Sequence, residues 1–413
     1  MSRIGEVLVP TRLGTGFRWL LASSWTSNLG DGIALAAGPL LVASLTRDAF
    51  LVALAATVQW LPPLLFGLLA GALTDRLDRR LIVATVDALR AVVLAVLTLA
   101  VSTERVSIVG VLAALFVLAT AEVFADNSSQ TLLPMLVARD DLAVANSRLQ
   151  TGFITVNQLA GPPLGAALFT VGAAGAFGAQ AVVVALGAVL ITRVVLPARA
   201  VDDGPPRKLR HDIGEGFRWV VHHAAVRTLV LTITIFNVTF GAAWSVLVLY
   251  ATERLHLGEI GFGLVTTVGA LGGLAGTVTY GWITRRVSLG DLMRIGLVVE
   301  TLTHLALALT SSPWIALPVF FVFGAHAFVW GTTSITVRQR AVPQALQGRV
   351  GSVNLVGVFG GLVIGSGIGG VLAQHGGVTA PFWFAFAGSA VFVVLIWHSL
   401  RHIAHADEQP TAA

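Results

Sequence analysis

The chain of 413 residues contains no cysteine, and only 11% of its residues are charged. The lack of cysteine excludes disulfide frameworks, thiol catalysis, cysteine-ligated metals and iron–sulfur clusters. Soluble proteins carry about 25% charged residues, so the low charge content excludes a water-soluble globular enzyme. Lys208 is the only lysine and lies in no phosphate-binding loop, so the sequence does not predict an ATP-driven pump.

Hydrophobic residues instead make up 55% of the chain, and the mean hydropathy is +0.84. A membrane helix takes about 20 residues, and runs of that length recur from end to end. The first run is too long for a removable signal peptide and is taken as a span. The pattern predicts an all-α integral membrane protein with twelve transmembrane helices. The runs cover 18–44, 51–73, 80–101, 106–134, 146–170, 174–196, 226–251, 259–283, 289–310, 313–337, 350–373 and 378–400.

The longest polar stretch divides these spans into six and six. It predicts an N-terminal six-helix bundle at 1–196 and a cytoplasmic linker with an amphipathic helix at 197–225. A C-terminal six-helix bundle with a short cytoplasmic tail follows at 226–413. The two predicted bundles make up nearly the whole chain.

The two bundles are similar in sequence. Arg18 and Asn28 recur 209 positions later as Arg227 and Asn237, and Gly71 recurs 210 positions later as Gly281. Parallel halves related by an axis along the membrane normal are an architecture of secondary transporters.

Basic residues fall almost entirely in alternate loops. One side of the predicted topology holds 22 of the 26, while the other holds only Arg47, Arg105 and Arg254. Cytoplasmic loops are enriched in Lys and Arg. The distribution predicts a multi-pass protein of the cell (inner or cytoplasmic) membrane with both termini in the cytoplasm.

The loop between spans two and three carries a recognisable motif. It reads Gly71-Ala-Leu-Thr-Asp75-Arg76-Leu-Asp78-Arg79-Arg80. This resembles the G-x-x-x-D-R-x-G-R-R motif of the major facilitator superfamily, with Asp78 in place of a glycine. The resemblance implies two pseudo-symmetric six-helix bundles and a conformational latch formed by Gly71, Asp75, Arg76, Arg79 and Arg80. Arg79 and Arg80 are expected to bind either lipid phosphate or a carboxylate of span four.

Two further segments extend the resemblance. Gly161-Pro162-Pro163-Leu-Gly165 in span five is similar to the core of the antiporter motif of proton-coupled exporters, and predicts a helix kink at Gly161, Pro162 and Gly165. The run from Glu122 to Pro134 in span four resembles the enterobactin-exporter and macrolide-efflux branch of the superfamily.

Ionisable residues inside a membrane are functional candidates by default. Asp31 in span one and Glu122 in span four are predicted near the midplane, and Asp126 shares a helical face with Glu122. All three are assigned to proton coupling. Arg90 is expected to neutralise Asp87 or Asp126, with Asp87 and Arg90 as the structural charge pair, which leaves Asp31 and Glu122 for chemistry.

Polar and aromatic residues on the remaining spans supply candidate substrate contacts. Glu300, His304 and His326 are left without a role, because the ninth span lies outside the cavity in the family that the chain resembles. The predicted substrate-binding residues are Asn28, Gln59, Asn157, Asn237, Phe236, Phe240, Trp244, Trp330 and Asn354.

The sequence therefore predicts a secondary transporter that exports small amphipathic molecules by proton antiport. A siderophore or other metabolite exporter is the alternative, followed by an importer, and more remotely a non-transporting receptor or membrane enzyme. No catalytic motif of a membrane enzyme is found. The expected partners are a small-molecule substrate, protons and membrane lipids. Nucleic acid, a metal and a cofactor are not expected, and the protein is expected to be a monomer.

Overall fold

A computed structural model describes residues 11–74, 77–196 and 209–400. Over these three ranges the chain is helical and contains no β-strand. Two helical segments, Phe153–Ala160 and Tyr250–Arg254, are wound as π-helix. The principal helices are α1 Gly14–Leu45, α2 Ala49–Thr74, α3 Arg79–Ser102, α4 Ile108–Leu136, α5 Leu142–Gly152, α6 Gly161–Val171, α7 Ala173–Ile191, α8 Leu209–His222, α9 Ala224–Trp244, α10 Glu259–Thr284, α11 Leu289–Leu309, α12 Pro313–Ala341, α13 Gln347–Gly376 and α14 Ala380–Ile396.

Among the described residues, ten helices are long and apolar enough to cross a membrane, and α14 is a shorter apolar helix. The predicted fifth span is present as α5, the π-helical segment and α6 in succession. These twelve stretches confirm the predicted all-α membrane fold. Helix α8 lies within the predicted linker, while residues 197–208 of that linker fall outside the described ranges.

Side-chain caps fix the starts of three of these helices. Asp78 accepts hydrogen bonds from the backbone N–H of Arg80 and Leu81 at the start of α3. Ser107 and Ser288 cap α4 and α11 in the same way. The aspartate that replaces a glycine in the loop motif therefore satisfies free backbone donors of the third helix.

The predicted helix kink lies where α6 packs against α1. A Cβ atom at Gly161 would collide with the backbone of Gly32, and one at Gly165 would collide with the backbone of Ile33. Pro162 lies in the first turn of α6, directly after the π-helical segment, and removes one backbone N–H donor from the continuous helix. The π-helical segment directly before it shifts the helical register, so the two helices meet through bare backbone.

The described part of the first compact unit comprises residues 11–45, 65–74, 77–196 and 259–267. Its core is formed by apolar side chains of α1, α3, α4, α5 and α7, with Phe17 and Leu132 fully buried. The start of α10 belongs to this unit because it packs on α6, where a Cβ at Gly263 would lie 2.8 Å from Ala166 Cβ.

The described part of the second unit comprises residues 46–64, 209–258 and 268–400. Its core includes Leu229, Met293 and Leu297 from α9 and α11. The first half of α2 belongs here because Thr57 Oγ1 lies 2.6 Å from Ser366 Oγ of α13. Each unit thus includes a short segment of the opposite predicted bundle, and the boundaries at 196 and 226 stay a prediction.

Candidate functional site

Arg90 on α3 is the centre of a buried group of charges in the first unit. Its Nη1 donates to Asp87 Oδ1 at 3.0 Å, and its Nη2 donates to Asp31 Oδ1 on α1. Ser27, one turn before Asp31, donates to Asp87 Oδ2 at 3.1 Å. The side chains of Arg90, Asp87 and Asp31 are only 4%, 2% and 14% exposed. One guanidinium therefore joins two carboxylates from two helices.

The partners of Arg90 differ in part from the expectation. The contact with Asp87 agrees with the predicted pair, since residues three apart lie on one helical face. No partner of Asp31 is predicted from the sequence. In the structure, Asp31 of α1 binds Arg90 of α3. Asp31 is accordingly part of an ion-pair network and is not an isolated acid.

Helix α4 adds two more carboxyl groups to this network. Glu122 is half-buried and Asp126 is exposed, one turn further along. The charge of Glu122 interacts with those of Asp31 and Arg90, and Asp126 interacts with the same two groups. We call Asp31, Asp87, Arg90, Glu122 and Asp126 the acid cluster.

The acid cluster holds more acids than bases. With all four carboxylates ionised around Arg90, it would carry a net charge of −3. Uncompensated charge inside a membrane protein costs several kcal/mol per group unless it is paired or neutralised. Protons are the simplest means of neutralising the surplus acids.

The predicted latch residues lie at the ends of α2 and α3. Asp75 and Arg76 fall outside the described residues. Arg79 donates to the carbonyl oxygens of Thr74 and Thr131 at 3.4 and 3.2 Å. Arg80 donates to Val194 O at 3.1 Å. These bonds join α3 to the ends of α2, α4 and α7 within the first unit.

A surface cavity adjoins these arginines. Its volume is about 310 Å³. Leu77, Met135 and Leu196 supply apolar parts of its wall beside the two guanidinium groups. Gly71 lies one helical turn before the end of α2, where a Cβ would lie 3.8 Å from Asn127 Nδ2. The latch role of Gly71, Arg79 and Arg80 stays a prediction.

The predicted substrate residues fall into distinct environments. Asn28 and Asn237 each donate to the carbonyl oxygen four residues earlier, at Ser24 and Ile233. The matched bonds fit the sequence repeat between α1 and α9. Asn157 is 7% exposed within the π-helical segment. The local bonds of Asn28 and Asn237 occupy only amide N–H groups of these side chains.

Three other predicted contacts, in the second unit, leave polar atoms available. Asn354 Oδ1 and Trp330 Nε1 are buried atoms without a hydrogen-bond partner. Gln59 on α2 is half-buried. Phe236 is different, because it is 4% exposed and packs in the core against Phe392. Phe236 is therefore a core residue, contrary to its predicted place on a binding surface.

Aromatic side chains form a continuous cluster on α9 and α12. Phe240 stacks on Trp244 with ring centroids 4.5 Å apart and on Phe323 at 5.7 Å. Phe323 also lies 4.5 Å from Trp244. All three rings are half-buried. Sequence reasoning found Phe240 and Trp244 but missed Phe323, because its contacts join residues about 80 positions apart.

The arrangement of these helices is that of a known class of membrane transporter. A mutant of the nucleoside transporter NupG has a similar structure, with a TM-score of 0.75 and 12% identity over 93% of this chain and 100% of that one. A bacterial homologue of the iron transporter ferroportin gives 0.73 at 18% identity, covering 93% and 98%. The protein has the same fold as these two transporters.

The family follows from the sequence itself. Residues 7–413 match the transmembrane secretion effector family, and the chain belongs to that family of major facilitator superfamily transporters. The multidrug efflux pump Tap of Mycolicibacterium fortuitum is 30% identical over 391 residues, which are 88% of this chain and 90% of the relative. The resemblance carried by the Gly71–Arg80 loop is confirmed. The chain is a transporter of a small-molecule substrate and is not an enzyme.

Proposed function

We propose that this transporter exports small amphipathic molecules by proton antiport, through alternating access of its two helical bundles. The observation that carries the proposal is the acid cluster, in which four carboxyl groups surround Arg90 inside the membrane-spanning region. The similarity to a multidrug efflux pump supports the outward direction and an amphipathic substrate.

The ion pairs suggest how protons are used. Arg90 binds Asp31 and Asp87, so the surplus acids are Glu122 and Asp126. When these two lose their protons, they attract Arg90 and compete with Asp31 for it. Each change of protonation therefore alters the contact between α1 and α3, which is the contact that holds Asp31 in place.

The proton gradient supplies enough free energy for accumulation against a gradient. A membrane potential supplies about 2.3 kcal/mol per 100 mV, and each pH unit adds about 1.4 kcal/mol. One proton under both forces yields about 3.7 kcal/mol, which supports about a 500-fold gradient of a neutral solute.

The charge distribution sets the proposed location. The excess of arginine in alternate loops favours the cell membrane with both termini in the cytoplasm. Membrane lipids contact the apolar helix faces, and Arg79 and Arg80 at the surface cavity offer a site for a lipid phosphate. The protein is proposed to act as a monomer.

The experiment uses a host that lacks its main efflux pumps. Wild type and Asp31→Asn are expressed at equal levels, and cellular accumulation of lipophilic cations, macrolides and siderophores is measured with and without a protonophore. Wild type is expected to lower the accumulation of at least one compound. The protonophore and Asp31→Asn are each expected to abolish that effect, because Asp31 is the acid that bridges α1 to Arg90.

Asp140→Asn is the matched control, since Asp140 is an exposed acid in the loop after α4. It should export like wild type. Raised accumulation in cells expressing wild type would identify an importer, and siderophores alone responding would favour the metabolite exporter. Normal export by Asp31→Asn would refute the assignment of proton coupling to the acid cluster.

A further inference from the structure

A second group of titratable side chains lies in the second unit. Glu300 and His304 are four residues apart on α11 and share one face of that helix. His326 of α12 faces them, with Nε2 3.5 Å from Glu300 Oε2. The side chains of His326 and Glu300 are 7% and 12% exposed, and His304 is fully buried. The proposed function uses none of these three residues, which we call the histidine cluster.

His304 has unused hydrogen-bonding capacity. Both of its ring nitrogens are buried without a partner, and so is Nε1 of Trp330, one turn after His326 on α12. A neutral imidazole has one N–H to donate and one lone pair to accept. Such buried groups are seldom left unpaired without a functional reason. His304 therefore has a hydrogen-bond donor and an acceptor that the described side chains do not satisfy.

The internal repeat relates the position of the histidine cluster to that of the acid cluster. Arg90 is the twelfth residue of α3, and Glu300 is the twelfth residue of α11, 210 positions later. The same interval relates Gly71 to Gly281. The central ionisable residue of the acid cluster thus has a counterpart of opposite charge at the equivalent place in the second half.

Other charges do not neutralise Glu300. In the part of the chain that the structure describes, the remaining titratable groups on the surrounding segments lie towards helix ends or bond elsewhere, and α14 has none. Glu300 with two neutral imidazoles carries a net charge of −1, which is costly inside a membrane. These remaining titratable groups are Arg227 of α9, Tyr250, Glu253 and Arg254 of the π-helical segment, Glu259 and Tyr280 of α10, Arg294 bonded to Asp291 on α11, and Arg338 and Arg340 of α12.

We propose that Glu300, His304 and His326 form a second protonation site, housed entirely in the second unit. Neutral His326 directs its Nε2–H at the Glu300 carboxylate, so a proton taken up from the aqueous solution forms a second N–H bond at Nδ1, and the resulting imidazolium pairs with that carboxylate. The net charge of the cluster then changes from −1 to zero.

The aromatic cluster is placed to sense this change. The His304 ring lies edge-on to Trp244, with centroids 5.9 Å apart, and the ring of Phe323 lies 6.0 Å from that of His326. A charge that appears beside these rings alters their attraction for a cation. Protonation of the histidine cluster would thereby adjust the wall predicted to contact substrate. Proton binding itself does not depend on the proposed export function.

Tryptophan fluorescence of the purified full-length protein in lipid nanodiscs provides the test. An imidazolium quenches a nearby indole more strongly than a neutral imidazole does. Trp244 and Trp330 are two of ten tryptophans, so acidification from about pH 8 to about pH 5 should reversibly quench on the order of a tenth of the emission. His326→Gln should reduce this quench about two-fold or more, and Glu300→Gln should weaken it by removing the countercharge.

His375→Gln is the control, because His375 is exposed near the end of α13. It should leave the quench unchanged. Trp244→Phe with Trp330→Phe keeps all three titratable groups and should remove the quench, which keeps the test valid if His326→Gln does not fold. A quench that survives either change in folded protein would overturn the proposal. The Asp31→Asn variant should retain the quench, so failure of export and failure of this site remain distinguishable.

Discussion

Replacing Arg90 removes the one positive charge of the acid cluster. Arg90→Met keeps an unbranched apolar side chain of similar length but leaves Asp87 and Asp31 without their shared cation. Asp87 is 2% exposed and Asp31 is 14% exposed, so neither carboxylate regains full hydration. Within the described ranges, the Ser27 hydroxyl is the one other side-chain donor to Asp87.

The burial of these ion pairs determines how much stability Arg90→Met should lose. Breaking a buried ion pair by removing one partner costs about 3 to 5 kcal/mol, because the remaining charge is uncompensated. For a domain of this size, 1 kcal/mol corresponds to about 2 to 4 °C in Tm. Arg90→Met is therefore expected to lower the apparent Tm by roughly 6 to 20 °C.

Thermal unfolding of purified variants in one detergent measures this loss. Arg12→Met is the control, because Arg12 is 63% exposed and its bond to Asp141 lies at the surface. Such a pair is worth about 0 to 1 kcal/mol. Adding Asp87→Asn and Asp31→Asn to Arg90→Met removes the orphaned charges and should recover much of the loss. Unfolding of Arg90→Met at the wild-type temperature would refute the idea that Arg90 neutralises these acids.

Three further predictions concern packing, capping and pH. Gly161→Val should destabilise by at least about 1 to 3 kcal/mol and impair export, because its side chain would collide with Gly32; Gly175→Ala, with open space around it, should not change either Tm or efflux. Asp78→Ala should cost about 1 kcal/mol, seen as a lower Tm, by removing the cap of α3. Burial lowers the pKa of His223, so the unfolded chain binds the proton more readily and stability near the α8–α9 junction should fall as the pH drops through about 6.5. Protection of the backbone amides at that junction against hydrogen exchange, relative to the intrinsic rate at each pH, should fall in acid in wild type but not in His223→Gln.

The helices could be predicted because hydropathy is a local property. A stretch of about 20 apolar residues is enough to define a span, and the described helices follow those stretches closely. The π-helical segment Phe153–Ala160 could not be predicted in this way. Hydropathy does not distinguish a π-helical turn from an α-helical one, because both keep the same apolar residues in one span.

The site was predictable where its contacts are local and not where they cross between helices. Asp87 and Arg90 are three residues apart, so helical periodicity alone pairs them. The bond from Arg90 to Asp31 spans 59 positions and depends on how α1 and α3 pack. Phe236 shows the same limit, since only the position of α14 determines that its ring packs against Phe392.

The sequence repeat predicts where equivalent residues lie better than it predicts which residue types occupy those positions. Asn28 and Asn237 keep both their equivalent positions and the same local hydrogen bond. At the paired twelfth residues of α3 and α11, however, Arg90 corresponds to Glu300, and the charge is inverted. A buried ionisable group requires only that partners of opposite charge reach it from neighbouring helices. Acids on α1, α3 and α4 meet that requirement for Arg90, and His326 of α12 meets it for Glu300 when it carries a proton. The repeat therefore conserves a position for a charge in each half, while the identity of that charge depends on the neighbours that each unit supplies.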